Sequence, residues 1–278
     1  DPCLAVPADA PSVMPKLPVV LTIAGSDNSC GAGAQADLKA ITALGGYAQT
    51  ALTCVVAEVP GAVEMIQPLK PALVAAQIRL SFEAFPVAAI KTGMLYSRSI
   101  IRRVAAAVRA RADRVPVVVD PVMVASSGDP LLEPAAIAAY RRDLFPLATL
   151  VTPNLDELRI LSEMPCRNLA EMEEAGRMLV DRHGCGFLLK GGHLGGAVAT
   201  DLLVTATGCE GFTAPFHRGV DTHGTGCTYA AAIATGLACG LSLWESVARA
   251  KRYLTAAIQG SLRWGDTTAL DHRVRPDA

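Results

Sequence analysis

The strongest constraint on how this chain folds is an alternation. Short, almost wholly apolar runs are separated by stretches of helical periodicity. The runs are Val19 to Ala24, Val87 to Lys91, Pro116 to Asp120, Thr149 to Thr152 and Phe187 to Lys190. A strand with so little polar alternation is one covered on both faces. Between these runs apolar residues recur at helical spacing: Ala34, Leu38 and Ile41, then Leu73, Ala76 and Leu80, then Ile100, Val104 and Val108. Strand, helix, strand repeated in this way builds right-handed crossovers, so the expected fold is α/β, a mostly parallel central sheet with helices on both faces. Two stretches break the alternation. Tyr47 to Glu58 with Val63 to Ile66, and Asp201 to Thr205 with Gly211 to Pro215, are expected as extra strands or a small β flap.

Residues 1–16 are rich in Pro and Ala without periodicity and are expected to be a mobile extension. Residues 17–264 are expected to form the folded domain and 265–278 a C-terminal tail. Lys16 followed by Leu17 to Ile23 has the charge and apolar order of a short signal core, but a polar loop and a helical pattern follow at once, as after a buried first strand. No apolar run has the length of a membrane span. A net charge of −1 leaves no basic excess for a phosphate backbone, so no nucleic-acid partner is expected. The eight cysteines form no C-x-x-C pair, and most are expected to be small buried hydrophobes in a reducing, cytoplasmic setting.

Four segments carry chemistry. Asp221-Thr222-His223-Gly224-Thr225-Gly226-Cys227 runs directly into the small-residue stretch Thr228-Tyr229-Ala230-Ala231-Ala232. Glycines there let successive N–H groups at a helix start converge on an anion, with the helix dipole adding partial positive charge. Asp120-Pro121-Val122-Met123 puts a carboxylate just past an apolar strand, where ligands bind in open α/β sheets. In Thr152-Pro153-Asn154-Leu155-Asp156-Glu157 the Asn and Glu either support Mg²⁺ and nucleotide phosphates or simply cap a helix, since the spacing suits both. Lys190-Gly191-Gly192-His193 adds a cation at a further strand end. An anion hole, two acidic groups and a lysine at successive strand ends are the parts that phosphoryl transfer needs, which is positioning and charge neutralisation more than covalent chemistry. The chain has no G-x-x-x-x-G-K-[ST] loop and no protein-kinase signature, so phosphate binding rests on another device.

Six segments together resemble the hydroxymethylpyrimidine and phosphomethylpyrimidine kinases of thiamin biosynthesis, in the ribokinase superfamily. They are Ala24-Gly25-Ser26-Asp27, Gly31 to Lys39, Lys91-Thr92-Gly93-Met94, Ser127 to Leu132, Lys190 to His193 and Thr222 to Cys227, spread in order over residues 18–262. The resemblance implies a ribokinase-like domain using ATP and Mg²⁺. It would phosphorylate 4-amino-5-hydroxymethyl-2-methylpyrimidine on its hydroxymethyl and then convert that monophosphate to the diphosphate. By motif, Gly25, Asp37, Val56, Glu58, Met94 and Val122 would line the pyrimidine pocket, with Glu58 at the ring's amino edge. Asp120 and Glu157 would serve the metal, and Asn154, Lys190 and Lys251 the nucleotide. Gly224, Thr225 and Gly226 would form the anion hole, with Cys227 at the reacting centre. The family also implies a homodimer.

Most sugar kinases of the superfamily carry Asp where this chain has Cys227. A thiol at a helix start can have a depressed pKa, so its thiolate would act as general base on the hydroxymethyl. The second transfer needs no base, because a phosphate monoester with a second pKa of about 6 is already largely ionised. Two departures stand out: Asn28 and Cys30 occupy positions where family members usually carry Pro and Gly, and Val59-Pro60-Gly61 follows Glu58 in place of a polar Asn-Thr. Losing a glycine at 30 restricts φ in the loop over the substrate. The rival readings are a pyridoxal or pyridoxine kinase and a catalytically silent nucleotide-binding regulator. The second would have lost Asp120, Lys190 or the anion-hole glycines, and all are present.

Overall fold

The computed structural model describes residues 17–111, 114–123, 134–192, 194–195, 197–217 and 223–274. Residues 1–16, the Ser127 to Leu132 segment, His193, Asp221 and Thr222 lie outside the described residues. The strands are β1 Val19–Asp27, β2 Tyr47–Val59, β3 Ala62–Pro68, β4 Val87–Thr92, β5 Val117–Val119, β6 Leu150–Val151, β7 Gly186–Leu189, β8 Val198–Thr205 and β9 Gly208–Pro215. They form one nine-stranded sheet in the order β3-β2-β1-β4-β5-β6-β7-β8-β9. The core from β2 to β7 is parallel, and β3, β8 and β9 are antiparallel edges. All five expected strands form, and the two irregular stretches become hairpins continuous with the sheet. β2 runs 13 residues; its first part pairs with β1, and from Cys54 onward it pairs with β3.

The helices are α1 Gly33–Ala43, α2 Pro71–Ala84, α3 Arg98–Arg109, α4 Pro134–Ala139, α5 Leu155–Ser162, α6 Leu169–His183, α7 Thr225–Ala238 and α8 Leu243–Gln259. Strand alternation sorts them into two layers. Leu21, Ile23, Val117, Val119 and Phe187 point into a core with α2 to α6, whereas Val20, Val118 and Leu188 point into a second core with α1, α7 and α8. One expected stripe is shifted. In α2 the buried residues are Val74 and Ile78, while Leu73 and Leu80 are exposed, because a helix on a sheet edge buries only a narrow face. Among the described residues no helix is long and apolar enough to cross a membrane.

The segment expected to be a tail packs on the domain. After a small hairpin, β10 Leu262–Trp264 and β11 Thr267–Ala269, Leu270 joins the second core and His272 is buried. His272 Nε2 lies 2.9 Å from Thr228 Oγ1 in the first turns of α7, and Tyr253 donates to the His272 carbonyl at 2.9 Å. Burial lowers the imidazole to a pKa of about 4, so it is neutral. The cysteines also depart from expectation. Of those described, Cys54, Cys166 and Cys185 are buried, Cys30, Cys209 and Cys227 are half-buried and Cys239 is exposed, all without disulfides.

Cys30 shows the cost of the glycine it stands for. Its φ is +59°, in the left-handed region where an L side chain crowds the following carbonyl. Cys30→Gly is expected to raise unfolding stability by about 1 kcal/mol in urea denaturation. An unchanged midpoint would show that the loop relaxes around the side chain.

Candidate active site

The strand order reverses between β1 and β4: α1, which follows β1, lies on one face of the sheet and α3, which follows β4, lies on the other. Two connections leaving in opposite directions open a crevice at the carboxyl ends of the strands, where ligands bind in such sheets. A cleft of about 420 Å³ sits there. Its wall takes Gly25 and Asp27 from β1, Val56 and Glu58 from β2, and Met94 from the loop after β4. Asp120 and Val122 follow β5, Asn154 follows β6, Lys190 follows β7, and Gly224 to Cys227 open α7. Lys251 on α8 lines the far end with Leu254 and Ile258. The β-branched Val122 has φ +40°, a strained conformation of the kind that persists where surrounding structure imposes it.

Asp120, Lys190 and Glu157 form the charged centre. Lys190 Nζ is 3.1 Å from Asp120 Oδ1, which also accepts from Thr152 Oγ1 at 3.3 Å. A Cβ on Gly226 would lie 3.1 Å from Lys190 Nζ and 3.4 Å from Asp120 Oδ2, so the cation and the carboxylate face the start of α7 directly. Burial alone would lower the Lys190 ammonium, but Asp120 and Glu157 outweigh it and hold it above its usual range. Burial pushes the Glu157 carboxyl up to about 7, against the pull of Lys190.

Glu157 also serves as a structural cap. Its Oε2 accepts from Asn154 N at 2.8 Å while Asn154 Oδ1 accepts from Glu157 N at 2.9 Å, a reciprocal capping box at the start of α5. The other oxygen accepts from Met123 N at 2.9 Å. Both carboxylate oxygens are thus engaged with backbone, leaving Asp120 Oδ2 as the better placed oxygen for a metal. Among the described residues no group of three or more His, Cys, Asp or Glu could hold a metal ion. One carboxylate still suits Mg²⁺, which keeps several waters and takes other ligands from substrate phosphates.

Asp37 is not on the cleft wall. It is fully buried beneath the site, where Lys91 Nζ donates to its two oxygens at 2.9 and 2.8 Å and Thr22 Oγ1 donates at 2.5 Å. A motif placed it in the substrate pocket, but α1 turns its side chain inward onto β1 and β4. Burial alone would lower the Lys91 ammonium, yet the Asp37 carboxylate raises it well above the usual lysine range. Lys91 is therefore a fixed positive charge, and Cys227 lies within its field.

That field does not make Cys227 a thiolate. Burial pushes the thiol up to about 11, Lys91 pulls it down, and the carboxylates of Asp37 and Asp120 push it up again. Desolvation and the two carboxylates outweigh Lys91 and the Gly33 backbone contact, so the thiol moves in the direction opposite to the one expected from a helix start.

Further contacts escaped the sequence. Asp201 on β8 accepts from Gly191 N at 3.0 Å and from Lys251 Nζ at 2.7 Å, joining the loop after Lys190 to α8. A Cβ on Gly191 would lie 2.0 Å from the Thr200 carbonyl oxygen, so that approach requires glycine. Asp27 meets His223 across the cleft, and Asn28 Oδ1 accepts from the Glu58 backbone N–H at 2.7 Å. Both pairings are remote in sequence, and only hydrogen-bonding side chains near the motifs hinted at them.

The chain matches the family model described as phosphomethylpyrimidine kinase over residues 27–270. It is 45% identical over 240 residues to the thiamine biosynthesis bifunctional protein ThiED of Geobacter sulfurreducens, covering 86% of this chain and 49% of that protein, so it spans about half the length of that relative. It is 42% identical to the hydroxymethylpyrimidine/phosphomethylpyrimidine kinase of Rhizobium meliloti, covering 88% of this chain and 92% of the relative. The solved structure of the pyridoxal kinase from Staphylococcus aureus in complex with ADP superposes with a TM-score of 0.85 at 35% identity, covering 92% of this chain and 94% of that one.

Two outcomes follow from this geometry. Asp37→Ala leaves Lys91 buried and unpaired and is expected to cost about 3–5 kcal/mol in urea denaturation, with much of the loss recovered in Asp37→Ala/Lys91→Met. Equal destabilisation in the single and double variants would show that the pair is not the source. At pH 7.5 Cys227 is expected to react with iodoacetamide more slowly than exposed Cys239, its rate climbing toward pH 11, as read by peptide mass spectrometry. Fast labelling of Cys227 at neutral pH would restore the thiolate.

Proposed function

The chain belongs to the phosphomethylpyrimidine kinase family, and from that premise we propose that it phosphorylates 4-amino-5-hydroxymethyl-2-methylpyrimidine with ATP and then phosphorylates the product again, serving thiamin biosynthesis. The observation that carries the proposal is the meeting of Lys190 and Asp120 at Gly226, the residue directly before Cys227, in the same cleft as Glu58, Met94 and Val122. The residues to which the proposal gives phosphate and ring thus line one cleft.

In this reading the ring lies between Gly25, Val56, Met94 and Val122, with Glu58 accepting from its amino group. Burial and the nearby Asp27 raise the Glu58 carboxyl while His223 opposes them, so His223 helps keep Glu58 an acceptor. The hydroxymethyl oxygen attacks the terminal phosphorus of ATP. The bond to the leaving ADP oxygen breaks, and the amides of Gly224, Thr225 and Gly226 with Lys190 take up charge on the equatorial oxygens. Mg²⁺, held by Asp120 and through water by Glu157, would neutralise phosphate charge. Asn154 and Lys251 would border the nucleotide.

A thiol with a pKa of about 11 is ionised in only about 1 molecule in 10⁴ at pH 7. Cys227 therefore serves as a hydrogen-bond partner that orients the hydroxymethyl, and the proton leaves late, onto the product phosphate. A loose transition state needs little prior deprotonation.

The proposal includes a cytoplasmic setting, supported by the free cysteines among the described residues, and a homodimer, supported by exposed Val55, Val59, Val63 and Met65 on β2 and β3. A pyridoxal kinase is the second reading, favoured by the close superposition on the Staphylococcus aureus enzyme. The test is ATP consumption with hydroxymethylpyrimidine, its monophosphate, pyridoxal and pyridoxine side by side, products resolved by chromatography. Turnover of both pyrimidines is expected. Turnover of pyridoxal alone would overturn the ring assignment, and no turnover of any would overturn the kinase.

A further inference from the structure

Two loops meet over the reacting centre. One leaves β1 at Asp27 and enters α1 at Gly33; the other is His223-Gly224 at the start of α7. They touch without room for side chains: a Cβ on Gly224 would lie 1.8 Å from the Gly31 carbonyl oxygen, and one on Gly31 would lie 2.8 Å from His223 Cδ2. Across this seam His223 Nε2 lies 3.1 Å from Asp27 Oδ2.

The same carboxylate shapes its own loop. Asp27 accepts from Ser29 N at 2.6 Å, from Ser29 Oγ at 2.9 Å and from Ala32 N at 2.7 Å, and its side chain is almost completely buried. Burial works against its charge, but the hydrogen bonds from His223, Ser29 and Ala32 prevail and hold the carboxyl well below the usual range. One ionised group thus fixes both the fold of the ring-side loop and its distance from α7. The sequence motif at residues 222–227 drew attention to its glycines and its thiol, and left the histidine without a role.

We propose that Asp27 and His223 form a positioning pair that couples the ring-side loop to the anion hole, so that neither loop holds its reactive shape without the other. The pair acts through the loops it joins and not on the reacting atoms. The inference rests on the kinase reading above for its catalytic consequence, and on the seam alone for its structural one.

The structural consequence is tested by hydrogen–deuterium exchange on peptides covering residues 28–34 and 223–230, in the parent, Asp27→Ala, His223→Leu and His223→Gln. Faster exchange is expected in both peptides whichever partner is removed, with His223→Gln, which keeps a donor toward Asp27, close to the parent. Faster exchange confined to the mutated loop would overturn the coupling. If His223→Leu does not fold, Asp27→Asn, which keeps the shape and removes the charge, takes its place.

In turnover, His223→Leu is expected to lower kcat about 100-fold, the cost of a misplacement near 1 Å, with KM for ATP nearly unchanged. The double variant is expected to be no worse than the poorer single one. Independent, additive losses would also overturn the pair. A parent inactive on every substrate would sink the kinase reading while leaving the exchange result to decide the seam.

Discussion

The site is organised around a buried ion pair that lies off the cleft wall. Lys91 on β4 and Asp37 on α1 lie in the dry interior with Thr22 of β1, so one carboxylate ties together the two strands that flank the strand-order reversal and the helix that follows the first of them. Taking two charges out of water costs several kcal/mol each, and only the two-oxygen contact with Thr22 as a third partner offsets it. The neighbouring backbone is shaped by it too. A Cβ on Gly93 would lie 2.7 Å from Lys91 Nζ, so a side chain there would have to displace the ammonium. What results is a positive charge beneath the reacting end of the cleft that cannot swing away.

Above that fixed charge the site's other cations are held by partners rather than left waiting. Lys190 rests on Asp120 and Lys251 on Asp201. An incoming polyphosphate would therefore exchange partners with lysines already in place, not gather mobile ones from solvent. Little reorganisation is needed when charge develops, which is where most of the catalytic gain of such sites originates. Asp201 also links the two lysine-bearing elements, since it binds the loop after Lys190 and the side chain of Lys251. The Lys190 end and the Lys251 end of the cleft are thus mechanically joined.

The features legible in the sequence were those that depend on short-range pattern. The alternating apolar runs located the parallel strands, and a polar residue just beyond a strand marked Asp120, Asn154 and Lys190 as cleft residues. Residues whose meaning depends on a distant partner were not legible. Asp37 looked like a substrate contact because its partner Lys91 lies 54 positions away, and Asp201 drew no notice because Gly191 and Lys251 converge on it only in the fold. The environment of Cys227 is hidden for a related reason: a helix start is visible in sequence, whereas the burial that pushes its thiol up is not. In α2 the periodicity was real, but Val74 and Ile78 rather than Leu73 and Leu80 face the sheet, because apolar residues on a surface helix also occupy its outer face.

The contact between His272 and Thr228 bears on the order in which the protein is made. Strands β1 to β9 and most of the helices precede residue 216, so a growing chain can assemble its sheet and both cores' strand faces while still attached to the ribosome. The first turns of α7 lean on a residue 44 positions further along, which leaves the ribosome later than they do. A nascent chain of this protein would have its sheet in place well before the start of α7 gained its last support.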